Sequence, residues 1–122
     1  MADDKPIAGH TKHGDLTIDQ LAELQPGLGQ LMPLVGERYW TCYYAAKGGN
    51  WGLAAYELRG LLSLFQKMST TRPKYKGMLD EYSKKIFDPL TKHIQAKDFA
   101  AFEKAYLDGV ALANKMHGAA NH

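Results

Sequence analysis

The sequence predicts an all-α protein: an antiparallel, up-down-up-down four-helix bundle preceded by one short helix. Three observations lead there. Apolar residues recur at steps of three and four along four long segments, the period of one helix face, while no stretch alternates in the two-residue rhythm of a half-buried strand. The breaks between segments are short: Gly48-Gly49, the Thr-Thr-Arg-Pro run at 70–73, and the turn before Asp98. Connections this short force consecutive helices to pack side by side. A chain of 122 residues encloses one sizeable core and is too short for two, so any pocket is built by the helices that hold the fold.

Residues 1–15 are polar, rich in Gly, His and Asp, and without periodicity; they are expected to form a flexible lead-in to a bundle domain over 16–122. Thr17 opens Thr-Ile-Asp-Gln, a capping-box pattern, so a short helix should run to Leu24 before Pro26 and Gly27 stop it. The first long helix is predicted over 28–47, with Leu28, Met32, Val35, Tyr39, Cys42, Tyr43 and Ala46 on one face and Pro33 in an early turn, where its missing N–H does least harm. Asn50 is a good N-cap for a second helix over 50–69, whose Trp51, Ala54, Leu58, Leu61, Phe65 and Met68 keep a strict three-four alternation, the pattern of a bundle seam. The third, over 74–96, carries Tyr75, Met78, Leu79, Tyr82, Ile86 and Leu90, with Pro89 kinking it or dividing it in two. Asp98 caps the fourth, over 98–118, with Phe99, Phe102, Tyr106, Gly109, Val110, Ala113 and His117 inward. Trp51, Leu58, Phe65, Tyr82, Phe102 and Tyr106 should be buried.

Composition narrows the function classes. Apolar residues make up 45% and charged residues 23% of the chain, ordinary values for a globular protein. The net charge of +2 is spread over mostly single Lys and Arg residues, without the dense basic stripe of a nucleic-acid binder; Lys84 and Lys85 read as a solvated face, and no nucleic-acid partner is expected. Cys42 is the only cysteine, which excludes an intrachain disulfide and a thiolate-rich zinc site. No apolar run approaches the ~20 residues that span a bilayer, so no membrane insertion is expected. The first residues carry no hydrophobic signal core; the expected location is periplasmic if this is a mature form whose signal has been removed, and cytoplasmic otherwise.

His117 is the residue type in the most telling place. It lies within roughly 20° of Tyr106 around the helix axis, so the period points its imidazole inward. An inward imidazole at a bundle end either bonds a carbonyl as a core histidine or holds a metal or cofactor. In the antiparallel layout Leu28, Leu31, Met32, Phe65, Met68, Tyr75 and Met78 are its nearest neighbours, and with Met116 that end collects four of the five methionines. Methionine fills irregular cores, and the same composition suits a pliable apolar pocket. His93 is expected at the opposite end, about 22 Å away. His10 and His13 have His-x-x-His spacing but lack a third ligand in a fixed frame, and are expected in solvent. On the first long helix Tyr39 and Tyr43 point inward, Trp40 sits at the boundary and Tyr44 outward, so this exposed aromatic surface is a candidate homodimer contact. Arg38 and Glu57 flank the inner faces of the first two helices as a boundary ion pair or a pocket rim. No phosphate loop, nucleophile elbow, His-Glu-x-x-His or paired Glu-x-x-His motif occurs. A cofactor-free lyase or isomerase needs only a Tyr, His or Arg in an apolar cavity, and the chain has all three.

Two segments, LMPLVGERYWTCYYAAKGGNWGLAAYEL and the closing FEKAYLDGVALANKMHGAANH, resemble small exported helical proteins related to class II cytochromes c, the cytochrome c-prime type of four-helix bundle. In that family the last helix ends in Cys-Asn-x-Cys-His. Asn114 and His117 match; Ala113 and Met116 stand where the two haem-attaching cysteines would be. The resemblance spans roughly residues 24 to 122 and implies a haem-type pocket with His117 as proximal ligand and Met32 where some relatives supply a second ligand, while thioether-linked haem is impossible. It further implies a cavity lined by Met32, Val35, Phe65, Met68, Tyr75, Met78, Ala113 and His117, because losing the two cysteines removes the tether without filling the space. The leading expectation is therefore a bundle that binds a small apolar or aromatic molecule near His117. A non-covalent haem or metal site on His117 comes second and a cofactor-independent lyase or isomerase third, ahead of a pure interaction protein using Trp40 and Tyr44.

Overall fold

The computed structural model describes residues 7–12, 14–23 and 28–120. The order is β1 (Ile7–Thr11), β2 (Gly14–Thr17), α1 (Ile18–Glu23), α2 (Leu28–Lys47), α3 (Trp51–Thr71), a 3-10 turn (Pro73–Tyr75), α4 (Lys76–Tyr82), a π-helical turn (Ser83–Phe87), α5 (Asp88–Ala96) and α6 (Phe99–Ala120). The chain is essentially all-helical. Helix α2 packs on α3, α3 on α4 and α5, these with the π-turn on α6, and α6 back on α2, so the helical stretches close around one core. No described helix is long and apolar enough to cross a membrane.

The caps do what their sequences suggest. Thr17 and Gln20 exchange reciprocal hydrogen bonds of 2.9 and 3.1 Å, satisfying two donors at the start of α1. The Asn50 side chain accepts from the Leu53 N–H at 3.1 Å and opens α3, and Asp98 accepts from the Ala101 N–H at 3.1 Å to open α6. Between α5 and α6, Lys97 adopts the left-handed conformation (φ 54°), which lets its N–H and that of Asp98 reach the carbonyls of Ile94 and His93.

Core residues follow the helical period. Ala54, Leu58, Leu61, Phe65 and Met68 of α3 are buried, facing Cys42 and Ala46 of α2, Leu79 and Tyr82 of α4, Ile86 and Phe87 of the π-turn, Leu90 and Ile94 of α5 and Phe102 of α6. Each large side chain among them contributes about 1.5–3 kcal/mol by leaving water. Trp51 and Tyr106 are only half-buried, against expectation, because each lies at the edge of an aromatic cluster: Trp51 meets Phe102 edge-on at 6.2 Å, and Tyr106 stacks on Tyr39 at 4.4 Å.

Two further differences have local causes. Ile7–Thr11 and Gly14–Thr17 pair as antiparallel strands, with His10 opposite Asp15 and Thr11 opposite Gly14, where a strandless lead-in was expected. Gly14, the first residue of β2, takes a positive φ (138°) open to glycine, and the His10 Nδ1 and Asp15 carboxylate meet at 2.7 Å. Gly14 and Asp15 are exposed and Leu16 and Thr17 only half-buried, so no strongly alternating pattern marked these strands. His13 lies outside the described residues, as does the predicted end of α1 at Leu24. The predicted third helix, expected to be kinked or divided at Pro89, instead runs on through a π-turn just ahead of it: the ring nitrogen cannot donate, and the ladder shifts so that the Asp88 N–H reaches the Ser83 carbonyl.

Candidate functional site

A cavity of about 500 Å³ lies among α2, α3, α4, the π-turn and α6, inside the range of small-molecule sites, about 300–1,000 Å³. Helix α2 supplies Met32, Val35, Gly36 and Tyr39, successive positions of one face. Phe65 is the contribution of α3; Tyr75, Met78, Leu79, Tyr82 and Phe87 come from the segment between α3 and α5; α6 closes the space with Val110, Ala113, Asn114, Met116 and His117. Burial sets an axis: Val35, Phe65, Leu79, Tyr82 and Phe87 are buried and make the floor, whereas Gly36, Val110, Asn114 and His117 are exposed and make the rim.

The floor is held by a close approach at Gly109. Tyr82 donates its hydroxyl proton to the Gly109 carbonyl at 2.9 Å and Tyr39 donates to the Tyr106 carbonyl at 2.9 Å. A β-carbon at Gly109 would collide with the Tyr39 hydroxyl and come within 2.8 Å of the Ile86 methyl and 2.9 Å of the Tyr82 hydroxyl. Glycine is required there so that two phenols from other helices can lie on the α6 backbone. Burial, reinforced by the neighbouring Tyr82, pushes the Tyr39 hydroxyl far above the usual phenol range, and burial raises Tyr82 as well, so both remain protonated donors at neutral pH. Around them the rings interlock: Tyr106 lies 4.6 Å from Tyr43, and Phe65 lies 4.8 Å from Phe87 and 5.6 Å from Tyr82.

Of the residues singled out from the sequence, Met32, Val35, Phe65, Tyr75, Met78, Ala113 and His117 surround this one cavity. Met68 does not. It is fully buried in the core, because three residues beyond Phe65 its side chain is turned roughly 60° around α3. His117 also departs from its expected buried position: it lines the cavity yet is exposed, because at this height the inner meridian of α6 faces the cavity's opening. It makes no hydrogen bond among the described residues. His93 is half-buried on α5 and away from the cavity. Among the described residues no group of three His, Cys, Asp or Glu side chains could hold a metal ion.

Sequence reasoning left Gly36, Tyr39, Leu79, Tyr82, Phe87, Val110, Asn114 and Met116 off the cavity wall. Tyr39, Leu79, Tyr82 and Val110 were legible as inner-face residues; what put them on a void was the meeting of helices. Arg38 is elsewhere, in a shallow cleft of about 220 Å³ on the other flank of α2. Its guanidinium pairs with Glu57 at 3.2 Å, sits 5.9 Å from the Tyr56 ring centre and covers Gly60, where a β-carbon would approach Cζ to 2.6 Å. Thus the Tyr, His and Arg an enzyme reading would combine do not share one site. Trp40 and Tyr44 are 59% and 52% exposed and meet edge to face at 5.3 Å; Trp40, expected at the boundary, stands outside it. The Cys42 Sγ donates to the Ala54 carbonyl at 3.3 Å inside the core. Comparison of the chain with protein-family models, curated proteins and solved structures finds no match.

Proposed function

We propose that this chain is a ligand-binding helical bundle that holds a small apolar or aromatic molecule in the cavity beside His117. The observation that carries the reading is the cavity itself: about 500 Å³ left open beside a core of buried side chains. Native interiors of this size seldom keep such voids without use. Apart from Asn114 and His117 at the rim, its walls are hydrocarbon, thioether and aromatic, suited to an apolar guest and adaptable through Met32, Met78 and Met116. The helices belong to the up-down-up-down class of bundle, with the ligand between facing helices near one end.

The test is titration with the neutral fluorophore N-phenylnaphthylamine. Stoichiometric enhancement that is lost in Ala113→Trp, a substitution that fills the cavity wall, is the expected result. Saturating ligand at about a hundred times Kd should raise stability by about 2.7 kcal/mol. Absence of both effects defeats the reading.

A second reading has its own observation: His117 and Met32 line the same cavity, an imidazole and a thioether of the kind that could hold a haem. The resemblance to class II cytochromes c points the same way. Bound there, haem would supply redox or gas-ligand chemistry, held by coordination and packing alone because Cys42, the only cysteine, lies in the core. Hemin titration should then give a stoichiometric Soret shift that His117→Ala removes. For the exposed Trp40 and Tyr44 pair the corresponding reading is a homodimer contact, which Trp40→Lys should dissociate in sedimentation equilibrium.

A further inference from the structure

The cavity's chemistry is uneven from end to end, and the unevenness specifies its guest more closely than size does. None of the residues lining it is Asp, Glu, Lys or Arg. An ion carried inside would shed its water without meeting a counter-charge. At the floor the side chains of Val35, Phe65, Leu79 and Phe87 are hydrocarbon. The Tyr39 and Tyr82 hydroxyl protons are already committed to the carbonyls of Tyr106 and Gly109, and each hydroxyl has only one proton to give. The deep end therefore has no phenol donor to spare for a guest's carbonyl or carboxylate.

At the rim the situation reverses. Asn114 and His117 stand three residues apart on α6, neighbours on one helix face, and both are exposed. Neither side chain, nor the half-buried Tyr75 hydroxyl, has a hydrogen-bond partner among the described residues. A carboxamide offers both N–H donors and a carbonyl acceptor, and a neutral imidazole offers one of each. Such a rim matches a polar group that both donates and accepts, such as a hydroxyl or an amide.

Resting on the ligand-binding reading above, we propose that the cavity selects an uncharged, one-ended molecule of the alcohol, phenol or amide class: its apolar body enters first against Phe65 and Phe87, and its polar group stays at the rim on Asn114 and His117. Free fatty acids and other anions of similar length are weaker guests, because a carboxylate at the rim only accepts where Asn114 and His117 both donate and accept, and so are pure hydrocarbons, which leave the rim groups unused.

The experiment uses para-butylphenol, butylbenzene and para-butylbenzoate at neutral pH, measured by calorimetry on the full chain. The phenol should bind tightest, about three- to tenfold more tightly than butylbenzene, the worth of one or two rim hydrogen bonds. The benzoate should bind about three- to tenfold more weakly than the phenol, since its carboxylate accepts but cannot donate at the rim. In the double variant Asn114→Leu, His117→Leu, both positions being exposed, the fold should persist by circular dichroism and the phenol's advantage over butylbenzene should disappear. Nuclear Overhauser contacts should run from the butyl chain to the Phe65 and Phe87 rings. Benzoate binding equal to the phenol's, an unchanged preference in the double variant, or a reversed orientation overturns the proposal while leaving the cavity a ligand site. If none of the three probes and no N-phenylnaphthylamine binds, the ligand-binding reading fails and this proposal fails with it.

Discussion

Replacing Gly109 with alanine should destabilise the protein, although the same substitution in an exposed helix interior is stabilising. The new methyl group would collide with the Tyr39 hydroxyl and stand 2.8 Å from the Ile86 methyl and 2.9 Å from the Tyr82 hydroxyl. Neither ring can swing away freely, since Tyr39 is stacked on Tyr106 at 4.4 Å and Tyr82 is wedged against Phe87 at 5.3 Å. Overpacking of this kind costs about 1–3 kcal/mol. Displacing the two hydroxyls from the carbonyls of Tyr106 and Gly109 adds about 1 kcal/mol each. Against that, alanine is better than glycine in a helix by about 1 kcal/mol. The net expectation is a loss of about 2–4 kcal/mol, a fall in Tm of roughly 10 °C or more for a domain of this size. Urea unfolding followed by circular dichroism reads it directly. The matched control is Gly36→Ala on α2, where a β-carbon meets nothing within 4 Å; there the helix term acts alone, and stability should rise by about 0.5–1 kcal/mol. If Gly109→Ala were as stable as the wild type, the claim that two tyrosines pin the cavity floor to the α6 backbone would be wrong.

The remaining expectations concern caps, a turn and the core thiol. Asn50→Ala removes the acceptor of the Leu53 N–H at 3.1 Å and should cost about 1 kcal/mol in the same urea assay; an unchanged midpoint would show that the cap carries no stability. Lys97→Gly relieves a left-handed backbone (φ 54°) and should gain up to about 1 kcal/mol, whereas Lys97→Val, β-branched at that φ, should lose stability. The Cys42 thiol, 1% exposed, is pushed up to about 12 by burial and, secondarily, by the nearby Glu57 carboxylate. At pH 8 it should react with a thiol reagent only as fast as the chain opens, and rapid labelling of the native protein would contradict its place in the core. The sign of its pH effect follows: the folded state keeps the thiol protonated while the unfolded chain ionises near 9.0. This contribution is complete below that pH and is lost as pH rises towards about 12.

How much was legible in advance can be argued from particular residues. The helical segments, the Asn50 and Asp98 caps and the Thr17–Gln20 box were readable because each depends on residues within a turn or two of one another, and the chain's own period states which face is apolar. For the same reason Met32, Val35, Phe65 and Ala113 could be placed on inner faces. What the period states, however, is a direction from one helix axis and not what stands opposite at that height. Met68 and His117 both point inward by phase, yet Met68 is sealed in the core and His117 reaches water at the cavity's mouth, since the helices around them enclose one and leave the other open. The strand pair escaped notice because its residues lie on no strongly alternating apolar face, and the π-turn because a proline announces a lost donor without saying how the ladder absorbs it. Least legible was the contact at Gly109, where Tyr39 and Tyr82 reach α6 across 67 and 27 residues of sequence. Local sequence determined the elements and their apolar faces. Only the tertiary structure decided which inward side chains meet one another and which enclose a cavity, because contact between helices depends on their mutual height and rotation, quantities that no single helix encodes.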